Sequence, residues 1–257
     1  MDKPSTQPLR EAVHQLGAMV LLFSDSLRSA FARRCAWKDF IAQFHFIGLK
    51  SQSVVLITGA FTGMVLCAQT YYQFHKVHMD SATLAIVGVS MCSELGPVLT
   101  ALMVAGRAGA AITAEIGTMR VTEQIDALRT LATNPIDYLV APRLLATILA
   151  MPLLMTESIV LGIAAAYGVG IFLLGIDPAY SWANMLHYTD REDFEMGLIK
   201  AVVFGGIIAV VACYEGMNCP EGAQGVGQAT TSTVVIASIG ILISNFFLTL
   251  FLNPLLG

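Results

Sequence analysis

One acid stands where apolar residues should be. Glu94 lies in SELGPVLTALMVAGRAGAAITAEIGTMRVTEQIDAL (residues 93–128), within an apolar run and next to Gly96-Pro97. A charged carboxylate at mid-bilayer costs about 2.5–3.5 kcal/mol even on the lenient insertion scale. It must therefore face a cavity, pair with a cation, be protonated, or be hydrogen-bonded inside a bundle. Gly96-Pro97 permits a kink and frees backbone carbonyls at that point. Glu157 and Lys200 are two further ionisable groups in or near apolar runs. As a Glu–Lys pair such groups serve structure; as a relay they would carry protons or ions.

The same block then turns charged. Its spacing predicts a helix over 123–133, within a charged segment covering about 118–133, with Thr122 as N-cap. Glu123 and Asp126 fall early and Arg129 later, as the helix dipole prefers, and Asn134-Pro135 ends it. Val121, Ile125, Leu128 and Ala132 share one face; Glu123, Asp126 and Thr130 share the other. Such a helix is either a docking surface or an ordinary solvated loop helix. Farther upstream, Leu66, Gln69, Thr70, Gln73 and Phe74 share a face that mixes apolar and amide groups. That face either lines something wet or amphiphilic or packs on a neighbouring helix. EGAQGVGQATT (residues 221–231) is rich in glycine but lacks G-x-x-x-x-G-K-[ST] and follows no strand. No nucleotide is expected to bind this chain, and the stretch reads as a tight turn. His75 and His78 lack a third metal ligand nearby. With no nucleophile–base pair or metal set, an intramembrane enzyme is not expected.

The elements that position these residues follow from composition. Of 257 residues, 56% are hydrophobic and only 12% charged, with a mean hydropathy of +0.70. Soluble domains carry about 25% charged residues, and several stretches here reach the roughly 20 apolar residues that cross a bilayer. The expectation is an all-α, polytopic membrane protein; a barrel would need short alternating strands. The net charge of −4 comes without a basic stripe, so nucleic acid is not an expected partner. Cys35, Cys67, Cys92, Cys213 and Cys219 show no C-x-x-C spacing and read as packing residues. The first ten residues lack the order of a signal peptide, so the N-terminus is expected to remain, in the cytoplasm.

Residues 1–50 are expected as cytoplasmic or interfacial amphipathic helices, with Trp37, Phe40, Ile41 and Phe44 on one face; packing on the bundle's flank is the alternative. Residues 51–257 are expected as five spans: 53–74, 82–105, 138–174, 195–214 and 231–252. The third is long and contains Pro142 and Pro152, so one tilted or kinked helix is expected. Gly59 and Gly63 form one close-packing stripe, and Gly162, Ala166 and Gly170 another. Lys3, Arg10, Arg28, Arg33, Arg34 and Lys38 precede the first span, and Arg107, Arg120, Arg129 and Arg143 flank the second loop. The positive-inside rule places both in the cytoplasm. By parity the Gly-rich stretch is also inside, although it carries no basic residue.

GMVLCAQ (63–69), the block from Glu94 to Leu128, NPIDYLVAPR (134–143), LIKAVVFG (198–205) and GAQGVGQATTSTVV (222–235) together resemble the MlaE-type permease family. These are the membrane subunits of ABC lipid transporters that work with MCE-domain proteins. The resemblance runs from the first span onward. It implies an interfacial N-terminal region plus five transmembrane helices, working as a homodimer in a Gram-negative inner membrane. It also implies a separate cytoplasmic ATPase dimer, binding ATP and Mg, with no cofactor in this chain. That ATPase would dock at Glu123, Gln124, Ile125, Asp126, Ala127 and Leu128, with Glu115 nearby. The implied phospholipid pocket lies between the two copies, toward the periplasm, with Leu66, Gln69, Gln73, Phe74 and Glu94 as its candidates here. Members often carry Arg where this chain has Ser93 and again where it has Gln228. The pocket then either lacks a cation for lipid phosphate or takes one from elsewhere, Lys200 being the candidate. The expected function is a permease subunit moving phospholipid between the inner membrane and a periplasmic MCE partner. The alternatives are a proton- or ion-driven carrier using Glu94, Glu157 and Lys200, and a structural anchor of an envelope-spanning complex.

Overall fold

The structure, a computed structural model, describes residues 7–32 and 37–256. Lys3, Arg33, Arg34 and Cys35 lie outside them. Helix α1 (Gln7–Ala32) precedes α2 (Trp37–Phe74) and α3 (Asp80–Val121). The short α4 (Gln124–Thr130) leads to α5 (Ile136–Phe172), and the surface helix α6 (Pro178–Tyr188) leads to α7 (Arg191–Met217) and α8 (Gly222–Leu256). Among the described residues there is no strand. Helices α2, α3, α5, α7 and α8 are long and apolar enough to cross a membrane. The chain is a polytopic all-α membrane protein. Lys38, Lys50, Arg107, Arg120, Arg129 and Arg143 gather at one end of the bundle, the basic end.

Helices α2 and α5 run parallel, and the two small-residue stripes meet. A Cβ on Gly63 would strike the Gly162 carbonyl and come within 2.9 Å of its Cα; one on Gly162 would come within 2.8 Å of the Gly59 carbonyl. Close approach of backbones supplies the van der Waals contact that holds helices together in lipid. Gly170 continues the seam against Cys67, and Ala166 is buried with it. Pro152 lies inside the single helix expected from the long apolar run. Cys67, Cys92, Cys213 and Cys219 are buried free thiols.

Several boundaries differ from expectation, for one reason. The first span does not begin at residue 53: α2 runs without a break from Trp37, through the segment assigned to an interfacial helix. Ser51 is taken up inside the bundle, while Lys38, His45 and Lys50 stay exposed. Phe40, Phe44 and Ile47 pack on the core, and Arg107 Nη1 donates to Ser51 Oγ at 2.6 Å. Helix α1 does pack on the flank, burying Met19 and Leu22 and leaving Val13, Leu16 and Val20 uncovered on its other side. The second span likewise does not stop at residue 105 but continues to Val121. There Thr113 Oγ1 lies 2.8 Å from Thr233 Oγ1 and donates to the Ala212 carbonyl at 3.1 Å, tying α3 to α8 and α7. Polar residues that would end a lipid-facing helix are tolerated when they face another helix.

The Gly-rich stretch is also helical. Only Gly222, with φ +84°, serves the turn, and α8 starts there. Gly225 is held tight against Pro220, where a Cβ would strike the Pro220 carbonyl. The polar stretch 177–195 contains a helix not foreseen: Asp177 caps α6 by accepting from the Tyr180 N–H at 2.9 Å. Ser181 and Met185 are buried, while Tyr180, Trp182, Leu186 and Tyr188 stay exposed. A capping box between Asp190 and Asp193 then starts α7.

Candidate functional site

The site grows from a proline. Pro97 has no N–H to give the carbonyl four residues back, that of Ser93, and its ring crowds that position. Helix α3 answers with a widened turn over Met91–Leu95, in which the Gly96 N–H donates to the Met91 carbonyl. Gly96 itself is required, because a Cβ there would come within 2.5 Å of Ile159 Cγ1. The freed Ser93 carbonyl is taken by Lys200 of α7, whose Nζ donates to it at 2.9 Å.

The same ammonium donates to Glu94 Oε1 at 2.7 Å and to Thr249 Oγ1 at 2.8 Å. An ammonium has three protons, and all three are engaged. Thr249 and Asn245, one turn apart on α8, complete the set. The Thr249 hydroxyl lies 2.7 Å from Glu94 Oε1 and 2.9 Å from the Asn245 carbonyl, and Asn245 Nδ2 donates to Glu94 Oε2 at 2.9 Å. Three spans thus meet on one ion pair. Lys200 sits about 14 Å along α7 from its start and about 8 Å past Glu195, the last charged residue before it, inside the apolar part of the span. Lys200 is 0% exposed and the Glu94 side chain 35%. The pair is buried at its positive end and open at its negative end.

Of the options left open for Glu94, two are realised together: it pairs with a cation and is hydrogen-bonded inside the bundle. Glu157 does not join the pair: its Oε2 is buried without a hydrogen-bond partner among the described residues. Leu66 packs in the same apolar cluster as Leu95, the neighbour of Glu94. Gln69 and Gln73 are exposed, and Thr70 and Phe74 half-buried, at the end of α2 remote from the basic residues. No hydrogen bond links these four side chains to the ion pair. Helix α8 is uncovered along Leu242, Phe246 and Leu250. Asn245 and Thr249 were missed in the sequence. Polar residues at i and i+4 in an apolar span were the signal that could have found them.

At the basic end the charged helix is shorter than expected, Gln124–Thr130. Thr122 does not cap it: its hydroxyl donates back to the Thr118 carbonyl at 2.8 Å. Glu123 instead makes the turn, at φ +58°. The facing is largely as expected. Ile125 is buried in the core and Leu128 packs on it, while Glu123, Gln124 and Ala127 are exposed. Ala132 falls outside the helix and is exposed, at φ +55°. Asp126 is bridged by Arg120 at 3.1 Å and Arg129 at 3.0 Å. Glu115, exposed on α3, pairs at 2.9 Å with the buried Arg143 of α5, which ties the segment's two flanking helices together. Burial pushes the Cys219 thiol up, and its Sγ packs beside Gly117, 3.3 Å from where a Cβ there would sit.

Comparison with known proteins agrees with this architecture. The profile of the family described as Permease MlaE matches residues 40–251. A probable ABC transporter permease protein of Rickettsia felis is 48% identical over 229 residues, covering 89% of this chain and 88% of that protein. One from Synechocystis is 41% identical over 248 residues, 96% and 94% of the two chains. The intermembrane phospholipid transport system permease protein MlaE of Haemophilus influenzae is 39% identical over 210 residues, 81% and 80% of the two. Matched across nearly all of its membrane-spanning part, this chain belongs to the MlaE permease family.

Proposed function

We propose that the chain is the permease subunit of an ABC transporter that moves phospholipid between the bacterial inner membrane and a periplasmic MCE-domain partner. Two copies enclose the lipid, and a separate cytoplasmic ATPase dimer, which holds ATP and Mg, drives the change of shape. The basic end, with the N-terminus, faces the cytoplasm. Helix α4 is the docking element: Ile125 and Leu128 root it in the bundle, and Glu123, Gln124 and Ala127 present its outer side.

Glu94 is the observation that carries this reading. Its carboxylate is locked by three side chains from two other spans and is still a third exposed in an apolar layer. A strut would be closed on all sides; an open charge suits an amphiphile. The uncovered side of α8 and the amide-bearing end of α2 add surface that a second copy and a lipid would share. The names of the relatives point the same way, to ABC permeases and, for the Haemophilus protein, to phospholipid.

Glu123→Lys tests the docking assignment. Asp126 is a poorer target, since its two arginine bridges would be lost with it. The variant is expected to fold with an unchanged melting temperature while its complex loses lipid-stimulated ATP hydrolysis. Normal coupling would remove α4 from the docking role. Purification with the neighbouring subunits tests the whole: a dimer with an ATPase and bound lipid is expected, and a lone monomer without lipid would sink the proposal. Intact lipid trafficking after Glu94→Ala would mark the chain as an anchor instead.

A further inference from the structure

We infer that the Glu94 site favours phospholipids whose headgroup ends in a primary ammonium, such as phosphatidylethanolamine, and does not clamp lipid phosphate with a cation. This rests on the proposal that the site takes phospholipid, and it adds the headgroup chemistry.

The cation expected to meet a phosphate is not free to do so. Lys200 is fully buried, and its three protons go to Ser93 O, Glu94 Oε1 and Thr249 Oγ1. Ser93 contributes no charge; its hydroxyl donates to the Val89 carbonyl at 2.7 Å. Arg107 and Arg143 are held at the basic end by Ser51 and Glu115. Arg191, at the start of α7 about 14 Å from Lys200, is paired with Glu195 at 2.7 Å, and Lys76, exposed beyond the other end of α2, lies more than about 20 Å along the helix axis from Glu94. No single headgroup spans that distance.

What remains open asks for donors. A carboxylate accepts at about four lone-pair positions. Lys200 and Thr249 occupy Oε1, and Asn245 fills one position on Oε2, which leaves one on Oε2 vacant. The adjacent Asn245 Oδ1 is a buried acceptor without a donor among the described residues. A buried acceptor left unpaired is costly. An ionised phosphodiester offers no proton and is repelled by the exposed carboxylate. A choline headgroup has the charge but no N–H. An alkylammonium has both, with three protons and a charge of the right sign, and charge-assisted hydrogen bonds are the strong ones.

The test uses the full-length chain in its complex, equilibrated in vesicles of equal parts phosphatidylethanolamine, phosphatidylcholine and phosphatidylglycerol. The lipid that stays bound through purification is then read by mass spectrometry. Enrichment of phosphatidylethanolamine on the order of tenfold over each of the others is expected, the worth of one charge-assisted hydrogen bond. The double variant E94Q/K200M, which removes both charges together, is expected to bring the bound ratio back to that of the vesicles. Bound lipid without a headgroup preference, or enriched in phosphatidylglycerol or phosphatidylcholine, overturns this inference and leaves the phospholipid reading standing. No bound lipid of any class overturns the reading beneath it.

Discussion

Lys200→Met is expected to cost about 3–5 kcal/mol of stability, the penalty for stripping one partner from a buried ion pair. The methionine fills the space, but three acceptors lose their donor at once. Glu94 is left charged in an apolar layer with only Asn245 and Thr249, and the Ser93 carbonyl freed by Pro97 has no donor. Glu94→Gln is expected to be nearly as harmful, because it leaves a fully buried ammonium unpaired. The double variant E94Q/K200M should regain most of the loss, since replacing a buried pair as a unit is often close to neutral. Thermal unfolding in detergent of the two single variants and the double gives the coupling directly. Singles no less stable than the double would mean that the pair contributes nothing. Transport separates the roles: the double variant is expected to fold and to transport poorly.

Substitution at Gly63 should also be damaging, through a different force. The new Cβ meets the Gly162 carbonyl, backbone against backbone, so no rotamer change relieves it. Even Gly63→Ala must push α2 away from α5, and overpacking of this kind costs about 1–3 kcal/mol. Gly63→Leu is expected to prevent accumulation of folded protein altogether. Gly168 on the same α5 supplies the contrast: nothing lies within 4 Å of its added Cβ. Gly168→Ala should therefore be neutral or stabilise by about 0.5–1 kcal/mol through the better helix former. Equal melting temperatures for Gly63→Ala and Gly168→Ala would show that the seam is not a close contact.

The expectations that held were local ones. Apolar length set five spans, because crossing hydrocarbon demands it of every segment separately. The stripes at Gly59/Gly63 and at Gly162/Ala166/Gly170 were legible because a small side chain every fourth residue is a property of one helix. So was the carbonyl freed by Gly96-Pro97. Two that failed were span ends set at the edge of a polar stretch, at residues 53 and 105; another took the glycines of 221–231 for a turn where α8 begins. Ser51, Arg107 and Thr113, which lie outside those expected spans, form bonds between helices.

Protein class, span number, the small-residue seams and an acid needing a partner or a cavity were thus written into the residue order. Which groups meet that acid depends on how the helices pack. Lys200 is 106 residues from Glu94 and Asn245 is 151, and hydropathy carries no record of which helices become neighbours. Packing also leaves the ammonium closed and the carboxylate open, because exposure belongs to the packed bundle and not to any one residue.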